Sequence, residues 1–194
     1  MHVGGFRPTL DPAASNFGMQ PLVLPGEEWP AWEGKPLLFV CQMNLAAAPA
    51  VQDLLAGIAL LTFFVKPELG DLSEENGRDW RVRAYSSVED LIPLAIPSDA
   101  PRARKGFECQ WEEADDFRTA SKNIARTKIG GFPSTIQGEC WWDLKDHTAN
   151  PKYCLQINSE EKPGLTWGDG GTIYVAHGTA AGCEDRWFLD WQCF

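Results

Sequence analysis

Two apolar runs in this chain each carry a central glutamine followed two residues later by asparagine: Leu37–Asn44 (LLFVCQMN) and Tyr153–Asn158 (YCLQIN). A polar side chain inside an apolar strand is costly unless it is hydrogen-bonded, so writing the pattern twice demands the same surroundings twice. The neighbourhood of each run repeats too. A glycine-proline turn precedes each one, Gly18-Met19-Gln20-Pro21 and Gly130-Gly131-Phe132-Pro133. A glycine then opens a second apolar run, Gly57 before IALLTFFV and Gly171 before TIYVAH. Short β-branched and aromatic runs bounded by Gly and Pro read as strands, and ordered landmarks that recur argue for internal duplication. The expectation is an α+β fold, predominantly antiparallel β, in one domain over residues 1–194. Its related halves, about 16–67 and 129–194, are joined by an irregular or helical region, 68–128.

Gln42 and Gln156 are expected to satisfy backbone groups of a nearby irregular segment, the alternative being a shared ligand-facing position. Asn44 and Asn158, at strand ends, suit turns or caps. A further strand is expected at Arg81–Tyr85. Three short helices are expected: Pro49–Ala56 (PAVQDLLA), a segment capped by Ser86 or Ser87 and ended by Pro93, and EEADDFRTASKNIA from Glu112, where acids precede bases as the helix dipole prefers.

A hydrophobic content of 44%, with nine Trp and ten Phe, is enough apolar surface to offset the entropy of folding, so the chain is globular. No apolar run approaches the roughly 18 to 20 residues of a membrane span, and the first residues lack a basic start and an apolar stretch of the secretory kind. A cytoplasmic location follows as an expectation. Six cysteines show no Cys-x-x-Cys spacing and read as free thiols. The three histidines, His2, His147 and His177, lie far apart, so no metal and no cofactor is expected.

Charge narrows the partners. Seventeen basic against 27 acidic residues give a net charge of −10. Such a surface repels nucleic acid and anionic membranes, whose binding depends on Lys and Arg, and attracts a cationic partner. The same excess also serves solubility.

Motifs for chemistry are sparse. Trp167-Gly168-Asp169-Gly170-Gly171 lacks the Gly-Lys-Ser/Thr of a phosphate loop and the spaced acids of a calcium loop, and reads as a tight turn. No Gly-x-Ser-x-Gly elbow occurs, and adjacent acids such as Glu112 and Glu113 diverge on a helix rather than converge on one atom. No enzymatic activity is expected. Two acidic stretches stand out instead. Glu108–Asp116 carries five acids and no base around Trp111, and Glu68–Asp79 carries five acids against Arg78 beside Trp80. Aromatic residues rimmed by carboxylates suit an interface for a basic protein; a core indole beside a solvated acidic face is the plainer reading of the same pattern.

The strings FGMQPLVLPGEEWP, PLLFVCQMNLA, GIALLTFFV, KIGGFPSTIQ, YCLQINSEEK, WGDGGTIYVAHG and WFLDWQCF together resemble the YwqG-like family of bacterial domains of unknown function, across Phe17–Phe194. One departure is the first turn, Gly18-Met19-Gln20-Pro21, where the family tends to have Gly-Gly-x-Pro. The resemblance implies a duplicated, strand-dominated α+β fold with no catalytic residues to carry over. It also implies that some relatives serve as immunity proteins beside secreted antibacterial toxins, including type VI secretion effectors. The expected function is therefore an antitoxin that occludes a cognate basic toxin, plausibly a nuclease, through Trp111, Glu112, Glu113, Asp115 and Asp116, then Asp71, Glu74 and Glu75. The alternatives are an enzyme or small-ligand binder with a site between the repeats, using Gln42, Gln156, Cys154 and His177, and a scaffold in a stress-related complex.

Overall fold

The structure, a computed structural model, describes residues 1–117 and 126–194. Its strands in chain order are β1 (His2–Val3), β2 (Asn16–Phe17), β3 (Leu22–Val23), β4 (Ala31–Trp32), β5 (Lys35–Pro36), β6 (Leu38–Asn44) and β7 (Leu60–Val65). They continue with β8 (Trp80–Tyr85), β9 (Ile92–Pro93), β10 (Phe107–Gln110), β11 (Lys128–Ile129), β12 (Pro151–Asn158), β13 (Thr172–Gly178) and β14 (Trp187–Gln192). A six-stranded sheet has the order β1-β10-β2-β6-β7-β8 and a four-stranded sheet the order β11-β12-β13-β14. Every strand pair among the described residues is antiparallel.

The two sheets share one core. Val40, Met43, Leu61, Phe63 and Val82 of the first sheet pack with Leu155, Ile157, Val175 and Leu189 of the second. Their outer faces are covered as well. Trp29 and Trp32 lie over Phe39 and Phe64 on one side, and Trp142 and Ala149 lie over Tyr174 and Phe188 on the other. This double coverage explains the unbroken apolar runs, because every residue of β6, β7 and β13 is buried.

The repeated glutamines organise matching frameworks. Gln42 accepts from the Leu22 N–H at 2.8 Å and donates to the carbonyls of Pro12 and Ala14 at 2.9 and 3.1 Å. Gln156 accepts from the Ser134 N–H at 2.9 Å and donates to the Arg126 carbonyl at 3.0 Å. Both are fully buried, so backbone satisfaction is their role. The neighbours match as well. Gly18 donates to Val40 at 2.9 Å and Gly130 to Cys154 at 2.7 Å, with positive φ of 62° and 68° that glycine adopts freely. The Ser15 hydroxyl accepts from Asn44 N–H, and the Thr127 hydroxyl from Asn158 N–H. A register shift lies between Phe39 and Cys41 in β6, and another between Tyr153 and Leu155 in β12. Strand order agrees too, β2-β6-β7-β8 against β11-β12-β13-β14.

Helices are scarcer than the sequence suggests. Among the described residues one short α-helix, α1 (Trp141–Leu144), and a single 3-10 turn (Asp53–Leu55) are present. The Pro49–Ala56 segment thus yields only that turn. After Ser87, whose hydroxyl accepts from the Glu89 N–H at 3.1 Å, the chain makes a local turn and then β9, not a helix. Of the helix expected from Glu112, residues 112–117 have no regular structure, and 118–125 lie outside the described residues. The string FECQ, read as part of an acidic patch, is instead β10, inserted between β1 and β2.

Loop residues 74–76 close one side of the core. The Glu74 carbonyl accepts from Leu189 N–H at 3.0 Å and Asn76 N–H donates to the Trp187 carbonyl at 3.1 Å, along the outer edge of β14. The Asn76 side chain meanwhile exchanges two 2.9 Å hydrogen bonds with the backbone of Val82 in β8. One residue therefore ties the edge of one sheet to the edge of the other.

Candidate functional site

The first predicted patch leaves β10 as an irregular segment. Trp111 pins it: the indole N–H donates to the Asn44 carbonyl at 2.8 Å, and the half-buried ring packs on the shared core. Beyond it Glu112, Glu113 and Asp115 are exposed. Asp116 turns inward. It accepts from Lys128 Nζ at 2.8 and 2.9 Å and from the Phe132 N–H at 2.7 Å, while Lys128 also donates to the Phe132 carbonyl. Burial holds the Lys128 ammonium below the usual lysine value, although Asp116 pulls it upward. Asp116 is thus a clamp between the segment and β11, and Glu108 is buried on β10, accepting from the Thr9 N–H and hydroxyl. Three of the five acids in this stretch are exposed.

These acids rim a cleft of about 680 Å³. The cleft is lined by Trp111 to Asp116, by Arg126 and Lys128 to Gly131, and by Met1, Pro49 and Ala50.

The second patch lies elsewhere. Asp71 is exposed, but Glu74 pairs with Lys145 at 2.7 Å and Glu75 with Arg186 at 2.5 Å. Trp80 is fully buried, its indole N–H donating to the Ser73 carbonyl at 2.7 Å, so it offers no surface anchor. Asp79 is buried as well. Burial opposes its ionisation, yet hydrogen bonds from Ser73 and the nearby Lys66 hold its carboxyl below the usual value. Because residues 74–76 follow β14 while residues 111–116 adjoin β11, the two acidic groups sit at opposite edges of the four-stranded sheet. Three inter-strand spacings separate those edges, roughly 14 Å.

The residues suggested for a site between the repeats do not assemble one. Cys154 is fully buried, its thiol contacting the Val175 carbonyl at 3.2 Å and pushed well up by burial. His177, lowered by burial, packs edge-on against Trp187 with centroids 4.6 Å apart. Both glutamines are committed to backbone. The void between the sheets, lined by Cys41, Met43, Leu61 and Leu155 among others, measures about 10 Å³. All six cysteines are free thiols, and among the described residues no group of three or more His, Cys, Asp or Glu is placed to hold a metal. The glycine-rich string forms a turn, with Gly171 N–H donating to the Trp167 carbonyl at 2.7 Å. Among the described residues no helix is long and apolar enough to cross a membrane.

A family model described as a domain of unknown function, DUF1963, matches residues 15–193. The chain belongs to the DUF1963 family. The matched span opens at Ser15, whose hydroxyl holds Asn44, and reaches past Gln192 at the end of β14. The DUF1963 region therefore contains both glutamines, the whole Gln156 framework, the Gln42 framework apart from the Pro12 and Ala14 carbonyls, and the lining of the cleft apart from Met1. No curated protein matches the chain.

Proposed function

We propose that this protein is an immunity protein that binds and neutralises a cognate basic toxin, a nuclease delivered by type VI secretion. The observation that carries the reading is the exposed row Glu112, Glu113 and Asp115, held at the rim of the cleft by Trp111 and by the Asp116–Lys128 clamp. A nuclease presents cationic surface to the phosphate backbone, so a pre-positioned acidic rim can cover that surface by imitating the substrate's charge. No turnover is required. Net charge −10 favours fast encounter with such a partner, and the YwqG-like resemblance brings the immunity role with it. The partner is a protein rather than nucleic acid or membrane, and the site of action is the cytoplasm.

We further infer that the chain is an internal duplication within an α+β, strand-dominated fold. Matching hydrogen bonds around Gln42 and Gln156, and matching register shifts beside them, support this. The related units then run from Ser15 into β8 and from Thr127 into β14.

The test is charge reversal of Glu112, Glu113 and Asp115 to Lys, leaving Asp116 in place. Association with a toxin encoded beside this protein should slow at least about tenfold with thermal stability preserved. Unchanged association and unchanged protection of toxin-producing cells would remove the rim from the interface.

A further inference from the structure

In the first sheet the outer edge of β2 is occupied. Strand β10 lies on it antiparallel, with Phe17 opposite Phe107 and Asn16 opposite Glu108, and Cys109 N–H donates to the Ser15 carbonyl at 2.6 Å. In the second sheet the corresponding strand, β11, is the terminal strand. The framework matches define the correspondence: Thr127 stands where Ser15 stands, Ile129 where Phe17 stands, and Gly130 where Gly18 stands. The amino group of Met1 donates to the Thr127 carbonyl at 2.7 Å, the place that Cys109 N–H takes in the first sheet. No strand among the described residues continues along β11 from there.

Backbone groups of successive strand residues point to opposite edges. Gly130 N–H points inward to the Cys154 carbonyl, so the N–H and C=O of Ile129 point outward, into the cleft. An outward donor and acceptor on a terminal strand are a template for a further strand. The rim selects what fits. The lining carries Glu112, Glu113 and Asp115 against Arg126 and the Met1 amino group, while its Lys128 is already neutralised by Asp116, so the acids are in excess by one.

We propose that β11 accepts an extended, lysine- or arginine-bearing segment of a partner protein as an added antiparallel strand, in the position that β10 fills on β2. Main-chain hydrogen bonds to Ile129 supply register, and the acidic rim supplies selection for cationic side chains, as in other strand-addition complexes. This mode of binding rests on the toxin-neutralising reading for the identity of the partner, but the edge itself is testable without a toxin.

The probe is an acetylated, amidated peptide of alternating lysine and valine, titrated into the full chain and followed by amide NMR and hydrogen exchange. At saturation the Ile129 amide should exchange about tenfold more slowly or less, with shifts at Gly130 and at Glu112 to Asp115. Ile129→Pro removes the outward donor, a change that edge strands tolerate, and should weaken the peptide Kd about tenfold, whereas Ile129→Val should leave it unchanged. Should the proline variant lose its fold, the Glu112→Gln, Glu113→Gln, Asp115→Asn triple variant, altered only at exposed positions, should weaken binding instead. Shifts at the rim with no slowing at Ile129 mean ionic adsorption and overturn the proposal, as does protection at Glu74–Asn76. A toxin complex that leaves Ile129 unprotected overturns strand addition while sparing the toxin reading. Failure of a toxin to bind at all strikes that reading, and the peptide titration still decides the edge.

Discussion

Replacing Gln156 with leucine tests whether the glutamine frameworks hold the sheets or merely decorate them. In the native structure the side chain is fully buried and serves at least two backbone groups, the Ser134 N–H at 2.9 Å and the Arg126 carbonyl at 3.0 Å, with the Tyr153 hydroxyl nearby at 3.3 Å. Leucine has similar bulk and supplies neither partner. Ser134 is itself buried, so its N–H cannot turn to water; the Arg126 carbonyl, on a half-buried residue, recovers part of its hydration. An orphaned buried group costs about 1–3 kcal/mol, which puts the substitution near 3 kcal/mol after partial rehydration. For a chain of this size that corresponds to a Tm lower by about 6–12 °C. Urea unfolding followed by tryptophan fluorescence measures the loss directly, and an unchanged slope confirms that the unfolded state is the same. Gln42→Leu should cost at least as much, because all three hydrogen bonds there involve backbone groups, against two of the three at Gln156. A loss below about 1 kcal/mol in both variants would refute the argument, since it would mean that the backbone finds other partners.

Three further outcomes follow from particular contacts. Asp79, held below its usual value, contributes stability that is present above the ordinary aspartate range and is lost as pH falls through the lower, folded value. An acid titration of Asp79→Asn should therefore show a flatter low-pH limb than the native protein, and parallel limbs would exclude this contribution. Gly171→Ala places a methyl 2.2 Å from the Gln192 carbonyl and 2.6 Å from that of Trp167; it should lower Tm well beyond Gly70→Ala, where nothing lies within 4 Å and φ is not positive. Glu160 is raised by burial despite a hydrogen bond from Thr127, so its ionisation opposes folding as pH rises above the usual glutamate range. Glu160→Gln should accordingly stabilise the protein at neutral pH, with the advantage shrinking in acid, as measured by urea midpoints across pH.

The central strands were legible because they are buried on both faces. Leu38–Asn44, Leu60–Val65 and Thr172–Gly178 have no solvent side, and continuous apolar runs bounded by Gly or Pro announce that. The purpose of Gln42 and Gln156 was legible for the same reason, since an apolar strand tolerates an amide only where backbone needs it. Two-residue strands such as β1, β9 and β11 are too short to carry any period, and β10 was hidden by its glutamate. The missing helices have local causes. Ser87 bonds to the backbone two residues on, and the Asp53 turn is confined between Pro49 and Gly57. Counting acids located the cleft rim, but sequence alone does not separate Glu113, exposed, from Glu108 and Asp116, each consumed by an internal donor. Nor could it place the Glu74 region on the far edge of a sheet whose near edge carries Trp111.

Asn76, the residue that latches β8 to β14, is followed by Gly77, and an Asn-Gly step is where a backbone nitrogen most readily attacks a side-chain amide. While the latch is shut the amide is gripped by Val82 and the Gly77 N–H is occupied by the Trp80 carbonyl, so the attack is disfavoured. Once it happens, ammonia leaves, water opens the resulting cyclic imide, and the new carboxylate faces the Val82 carbonyl with no proton to offer. Chemical ageing of this protein should thus begin with slow, irreversible loosening of one seam, and old molecules should part there first.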